Sequence, residues 1–421
     1  MNYSKQVIQR NIDVLIVGGG AAGMMAAVTA GRRGLVCAVL ERNGFTGKKL
    51  GITGKGRCNV CNSCPPEDVI KNTPGGGKFL YSCLMAFSPA DTMRFFEENG
   101  LRLKVERGNR VFPESDKARD VVETLRRLMR QAGVKVIQGR AVEILSDNSE
   151  VTGVRLEDGA VISCKACILC TGGRSYPLTG STGDGYRLAE ALGHTVTPLR
   201  GSITGLESED PDCGRMQGLA LKNVKVKAFS HEGGGKAVFE DFGEALFTHY
   251  GLSGPCILSM SAHLRDFGTR GYFVSIDLKP ALDEKKLDAR LLRDFEEFKN
   301  RTVENGLAKL LPAAMQAIAA ERAGIKGRQV NSVTREERRR LADVIKDFRI
   351  ELSGLRPVEE AVVTSGGVEL SGINPKTMES KLCKGLYFAG EIIDADAYTG
   401  GFNLQIAWST AYAAGMSVLN G

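Results

Sequence analysis

The chain has 421 residues, 43% hydrophobic and 25% charged, with a formal net charge of +7; this is a globular protein of two or three domains, not a disordered or fibrous one. No apolar stretch approaches the ~20 residues that span a bilayer, and the polar first eleven residues hold no signal-peptide core, so a cytoplasmic protein without a membrane partner is expected. The densest basic run, Arg335 to Arg340, is interleaved with Glu336 and Glu337 at helical spacing and reads as a solvated helix face, which argues against nucleic acid.

The first elements are the most informative. An apolar run over residues 12–16 leads into Gly18-x-Gly20-x-x-Gly23, and a second strand closes on Glu41. In a β-α-β unit Gly18 permits the tight turn, Gly20 lets backbone approach a pyrophosphate, and Gly23 lets helix and strand pack closely. The helix N-terminus offers N–H groups and partial positive charge to the phosphates. Glu41, 23 residues after Gly18, stands where an acid accepts hydrogen bonds from a ribose, so the chain is expected to bind an adenine dinucleotide.

A loop rich in glycine and lysine follows over residues 47–59. Residues 89–99 read as an amphipathic helix stopped by Gly100, and Ser115 as the N-cap of a helix running to residue 132. Strands are expected at 134–137, 151–156 and 161–169, the last ending in Thr171-Gly172-Gly173. Beyond residue 196 short strands at 224–229, 237–239 and 272–278 suggest a barrel or meander. Residues 283–347 have helical periodicity, and strands return at 349–352 and 361–364. A last strand leads to Gly390-Glu391, before an apolar helix at 407–419.

Eleven cysteines without a secretory signal imply reduced thiols. Cys58, Cys61 and Cys64 have iron–sulfur or zinc spacing but no fourth ligand nearby, and Cys164 and Cys167 point to opposite faces of one strand, so no metal site is expected. A redox role for Cys61 and Cys64 stays open. Four segments, 18–23, 41–59, 171–173 and 390–405, put glycine or small polar residues at strand ends, where ligands of open α/β sheets sit. A terminal segment helping to close a site opened by the first strand points to FAD more than NAD.

At these residues the chain resembles the two-dinucleotide-binding-domain flavoproteins. More closely it is similar to the BaiN/RdsA family of bacterial FAD-dependent oxidoreductases, which includes aminoacetone oxidase-like members. The matching motifs are G-G-G-A-A-G-M-M-A-A at 18–27, G-K-K-L-G-I-T-G-K-G-R-C-N at 47–59, T-G-G at 171–173 and S-T-G-D-G-Y at 181–186. F-T-H-Y-G-L-S-G-P at 247–255 and G-L-Y-F-A-G-E-I-I-D-A-D-A-Y-T-G-G-F-N-L-Q at 385–405 complete the set, which covers the chain end to end. The resemblance implies an α/β protein whose Rossmann-type FAD domain is built from both termini, residues 1–196 and 366–421. A β-barrel domain (197–281 and 348–365) and a helical insert (282–347) would interrupt it. It also implies that Gly18, Gly20, Ala22 and Gly23 wrap the pyrophosphate, that Glu41 with Arg42 holds the adenosine end, and that Val142 pairs with adenine through its backbone. Lys48, Arg57, Cys58 and Asn59 would line the cofactor beside Thr171 and Gly172. Gly390 and Glu391 would meet the ribityl and phosphate region, and Gly401, Asn403 and Gln405 the isoalloxazine, although Asn403 also reads as a helix cap. Lys55 stands where the family usually has glycine.

A flavin reductase of a conjugated ketone also needs a proton donor, for which Tyr398, Tyr176 and His249 are the candidates. Ser253 lacks a nucleophile elbow, and the glycine runs 75–77 and 233–235 lack P-loop spacing. With one dinucleotide fingerprint, NADH or NADPH would serve as a transient hydride donor without its own Rossmann unit. The expected activity is NAD(P)H-linked reduction of conjugated carbon–carbon double bonds in 3-oxo bile-acid or steroid substrates. The alternatives are an amine oxidase producing peroxide and a non-enzymatic flavin or thiol redox sensor. No feature of the sequence sets the oligomeric state.

Overall fold

The computed structural model describes residues 7–265 and 267–420, with backbone alone for 7–11; residues 1–6, part of the stretch read for a leader, lie outside it. The chain forms two compact units, Met1–Ser202 with Pro357–Gly421, and Ile203–Arg356. No described helix is long and apolar enough to cross a membrane.

The first unit is built on a seven-stranded sheet in the order Lys135–Gln138, Cys37–Glu41, Val7–Val17, Val161–Leu169, Glu150–Leu156, Ala141–Asp147, with Leu386–Phe388 also paired to Val161–Leu169. The first four strands and Leu386–Phe388 run parallel, whereas Glu150–Leu156 and Ala141–Asp147 are antiparallel. Every residue of Cys37–Glu41 is buried, as expected of a strand covered on both faces. The helix Ala21–Arg32 is buried almost all round because the sheet lies on one side and the terminal helix Phe402–Ser417 on the other. Small residues allow that contact: a Cβ on Gly415 would lie 2.8 Å from Thr29 Cβ and 3.0 Å from the Ala26 carbonyl.

Register places the site. Val17 pairs with Leu40 and with Leu169, and Leu169 pairs with Phe388. The parallel strands therefore end level with one another, and Gly18, Glu41, Cys170-Thr171 and Ala389-Gly390 emerge along one edge, beyond the strand carboxyl ends.

In the second unit seven antiparallel strands follow the order Phe348–Leu352, Tyr272–Asp277, Ala220–Ser230, Ala237–Thr248, Gly251–Ser253, Leu206–Glu207, Gly354–Leu355. The two end strands are separated only by Ser353, whose N–H donates to the Glu207 carbonyl at 2.9 Å, so one continuous run closes the sheet into a barrel. The helices Glu284–Glu297, Ala313–Arg322 and Arg335–Lys346 share its core through Leu291, Ile318 and Ile345, which pack with Val226 and Ile276.

Some elements differ from expectation. The strands Ala220–Ser230 and Ala237–Thr248 are longer than the apolar pattern suggested, because acids and glycine occupy the outward positions of the second one. Val363–Ser365 pairs with Arg200–Ser202 in the first unit, not with the barrel. Ser115 is not the N-cap: the helix is Ala118–Gln131, and the Ser115 hydroxyl instead donates to Asp120 at 2.6 Å. The basic run lies on Arg335–Lys346, where Arg338 pairs with Asp288 at 2.6 Å and Glu337 with Arg328.

Candidate cofactor and active site

The fingerprint turn is built as its glycines require. Gly18 has φ +103°, and a Cβ there would lie 2.4 Å from the Cys170 carbonyl oxygen. A Cβ on Gly23 would fall 1.8 Å from the Gly18 oxygen. Gly20 is the contrast, since its Cβ would meet nothing within 4 Å. The helix that Gly20 opens has no side-chain cap and no acid in its first turn, leaving N–H groups and partial positive charge open to an anion.

The other segments converge on this edge. A Cβ on Gly390 would lie 2.8 Å from Ala22 Cβ, which brings the last strand's turn against the fingerprint helix. The Gly47 N–H donates to the Gly19 carbonyl at 2.7 Å, tying in the long loop. Glu41 is buried and accepts from the Gly19 N–H at 2.8 Å, the Asn43 N–H at 2.8 Å and Asn43 Nδ2 at 2.7 Å. Arg42 reaches Thr182 at 2.6 Å and Asp184 at 2.9 Å. Hydrogen bonds from Arg140 and Arg187, with the nearby guanidinium charge, outweigh burial and hold Asp184 well below the usual carboxylate range. Arg42, Arg140, Thr182 and Asp184 rim a cavity of about 50 Å³ lined also by Val17, Leu40, Gly139, Ala141 and Thr171. Val142 follows Ala141 on the same strand and its side chain is exposed.

Two buried side-chain oxygens in these segments have no hydrogen-bond partner, Asn59 Oδ1 and Thr171 Oγ1, the second set against Gly185, where a Cβ would lie 1.9 Å from it. A Cβ on Gly401, at φ +96°, would lie 2.9 Å from that Asn59 oxygen and 2.3 Å from the Cys61 carbonyl. Gly401, not Asn403, caps the terminal helix, which begins at Phe402 rather than at 407. Asn403 staples the preceding loop, its Oδ1 accepting from the Ala397 N–H at 2.8 Å and its Nδ2 donating to the Ala397 carbonyl at 2.7 Å. Gln405 is buried and donates to the Phe87 carbonyl at 3.1 Å, with its Oε1 unpaired.

The remaining candidates are placed unevenly. Lys48 Nζ lies 3.4 Å from Asn43 Oδ1. It is the unsuspected Lys49 that engages Glu391, at 2.8 Å, and Ser175, at 2.5 Å. Burial pushes the Glu391 pKa up, but the Lys49 charge and hydrogen bonds from Lys49, the Thr364 N–H and Ser175 outweigh it and hold Glu391 below the usual value. Gly172 has φ +72°, and a Cβ on Gly173 would lie 3.0 Å from Glu391 Oε1. The Arg57 guanidinium is committed to Glu106 and Asp116 and stacks on Phe112 at 4.2 Å. Tyr176, next to Ser175, is exposed with φ +53°. The Tyr398 N–H donates to the Asn72 carbonyl at 2.9 Å. His249 belongs to the second unit, is exposed, and packs its ring on Tyr250 at 5.1 Å.

The thiols at the end of the long loop and just after it are suppressed. Burial pushes Cys58 up to about 12 and Cys64 up to about 11, and Cys61 higher still. A redox-sensing thiol needs the opposite environment. Among the described residues no group of three or more His, Cys, Asp or Glu side chains could hold a metal ion.

Lys55 is exposed and sits at φ +57°, between Gly54 at φ +57° and Gly56 at φ +84°. Left-handed backbone costs an L-residue about 1–2 kcal/mol, partly offset by glycine's greater chain entropy, so Lys55→Gly is expected to raise stability by up to about 1 kcal/mol. Chemical denaturation of both proteins checks this.

The residues fit FAD: the open side of Gly20, the uncapped helix and the unpaired Asn59 oxygen are what a dinucleotide's phosphates and hydroxyls would engage. With the parallel-strand sheet, this site defines a Rossmann-type FAD-dependent oxidoreductase. The chain belongs to the family described as HI0933-like protein Rossmann domain, which matches residues 12–417. It is 30% identical over 409 residues to a ribosomal RNA dihydrouridine synthase of Escherichia coli K12, covering 97% of this chain and 98% of that protein. It is 29% identical over 409 residues to a 3-dehydro-bile acid delta(4,6)-reductase of Clostridium scindens, covering 95% and 97%. Among solved structures it shares its fold with a flavocytochrome c3 fumarate reductase, at TM-score 0.52 and 16% identity over 97% of this chain and 78% of that one.

Proposed function

We propose that this protein reduces a carbon–carbon double bond conjugated to a carbonyl, with NADH or NADPH as the transient hydride donor. The observation that carries the reading is the convergence of four separated segments on the sheet edge beside Gly20, in a chain that matches two double-bond reductases over nearly its whole length. The 4,6-double bonds of a 3-oxo steroid and the 5,6-double bond of uracil are both conjugated to a carbonyl, so one chemistry covers both names. Bound FAD supplies hydride transfer. The chain's part is to hold the cofactor through the fingerprint helix, Glu41 and Glu391, and to deliver a proton to the carbon next to the carbonyl. Tyr176 and Tyr398 are the proposed donors in the first unit and His249 in the second.

A 3-oxo bile acid or steroid is the substrate expected from the sequence, and the bile-acid reductase supports it. A specific feature favours the second reading, a uracil base of ribosomal RNA. In the loop at residues 47–59, which holds no acid, Lys49 and Arg57 are paired with Glu391 and with Glu106 and Asp116, and Lys48 and the exposed Lys55 supply the remaining positive charge. A cationic rim suits a polyanion better than a steroid. The test is anaerobic turnover of NADH and NADPH with a 3-oxo-4,6-diene steroid and, separately, with a ribosomal RNA transcript analysed by nucleoside mass spectrometry. Steroid reduction or dihydrouridine formation selects the substrate. Turnover of neither, with a small amine reducing the flavin instead, would replace this reading with an amine oxidase.

A further inference from the structure

Glu391 follows Gly390, whose turn abuts Ala22 of the fingerprint helix, and its carboxylate lies beside Gly173, in the turn after Leu169, so a negative charge stands close to the segments that would hold an anionic pyrophosphate. A carboxylate there would repel the cofactor unless compensated. Lys49 compensates it. Its ammonium is 2.8 Å from Glu391 Oε2 and 2.5 Å from Ser175 Oγ, and both charged side chains are largely shielded from solvent. The other carboxylate oxygen accepts from the Thr364 N–H at 2.8 Å and from Ser175 Oγ at 3.3 Å. Thr364 Oγ1 in turn accepts the N–H groups of Arg174 at 2.7 Å and Ser175 at 3.1 Å. One network thus joins the long loop, the turn after Leu169, the strand Val363–Ser365 and the Gly390 turn.

We propose that Lys49 is a positioning residue for FAD: held between Ser175 and Glu391, it fixes and neutralises the Glu391 carboxylate so that this group can accept cofactor hydroxyls beside the pyrophosphate. The inference rests on the FAD reading and deepens it. Lys49 makes no substrate contact in this role; it acts through Glu391.

Without Lys49, the groups left facing Glu391 include the Thr364 N–H, the Ser175 hydroxyl and the buried Tyr186 phenol, which also feels Asp394; the Arg174 guanidinium is paired with Glu359. Among the described residues, Lys49 is the cation paired with Glu391, and none of these remaining groups carries a positive charge to replace it. The experiment is fluorescence titration of apoprotein with FAD across the range from about pH 5 to about pH 8, where an unpaired carboxylate of raised pKa changes charge. Lys49→Met is expected to bind FAD about 30-fold more weakly near pH 8, because it strands a charge, and to recover toward acid as Glu391 protonates. Wild type should stay flat, and adding Glu391→Gln to Lys49→Met should restore most of the affinity at all pH values. A merely structural lysine would give neither the pH dependence nor the rescue. Lys49→Met binding like wild type, or a loss without pH dependence or rescue, overturns the proposal. If Lys49→Met does not fold, the double variant decides: weak binding by a folded double variant overturns it equally. Wild type that takes up no FAD would overturn the cofactor reading itself, a result distinct from both.

Discussion

Gly20→Ala is expected to leave the apoprotein's stability within about 0.5 kcal/mol of wild type while lowering FAD affinity by about 30-fold or more. The backbone at Gly20, φ −79° and ψ −163°, suits alanine, and no protein atom lies within 4 Å of the added Cβ. That space is where the close approach of a pyrophosphate would be felt. Gly23→Ala should behave differently, because its Cβ would collide with the Gly18 oxygen at 1.8 Å. It should cost about 3 kcal/mol or more of stability and lose FAD as well. Thermal unfolding of the apoproteins beside FAD titration separates the two. Gly20→Ala binding FAD like wild type would show that the space has another use.

Gly401→Ala should be damaging at the opposite end of the chain. Its φ is +96°, and the added Cβ would lie 2.3 Å from the Cys61 oxygen and 2.4 Å from the carbonyl carbon. Backbone cannot yield as a side chain does, so the start of the helix Phe402–Ser417 must move away from the segment around Val60. That displacement strains the Trp408 Nε1 bond to the Val60 carbonyl, now 2.9 Å and fully buried. A loss of about 3 kcal/mol is expected, from left-handed strain and a buried clash together. FAD affinity should fall with it, since Asn59 Oδ1 faces the same contact. Asn403→Ala is the milder control: it removes the bonds to Ala397 without a clash, and should cost about 1–2 kcal/mol. Equal stability of Gly401→Ala and wild type would mean that this close approach is not needed.

What could be read from sequence followed local chemistry. The fingerprint, the acid closing the second strand and the glycines after Leu169 and Phe388 are short-range signals, and parallel pairing in register aligns them without further information. Side-chain direction in the long loop was not legible. Residues Leu50–Gly56 form a kinked 3-10 segment with Thr53, Gly54 and Lys55 outside helical angles, so no periodicity says that Lys49 rather than Lys48 turns toward Glu391. That partner lies 342 positions away, and Thr364 meets Ser175 across 189. Arg57 illustrates the same limit: its motif suggested the cofactor, whereas Glu106 and Asp116, 49 and 59 positions on, take its guanidinium. The strand pattern left barrel and meander open, because Ser353 splits one strand into two and the closing partner, Leu206–Glu207, is only two residues long. The apolar run at 407–419, with Asn403 as a cap, misses the first turn of the terminal helix, opened by Gly401 at Phe402.

The most direct test is anaerobic titration of the purified protein, loaded with FAD, with NADH and then NADPH while the visible flavin band is followed. The band should bleach rapidly with one of the two nucleotides and return on addition of a conjugated-carbonyl substrate. A protein that shows no flavin spectrum after incubation with FAD, or a flavin that stays oxidised under both nucleotides, would contradict a nicotinamide-driven reductase.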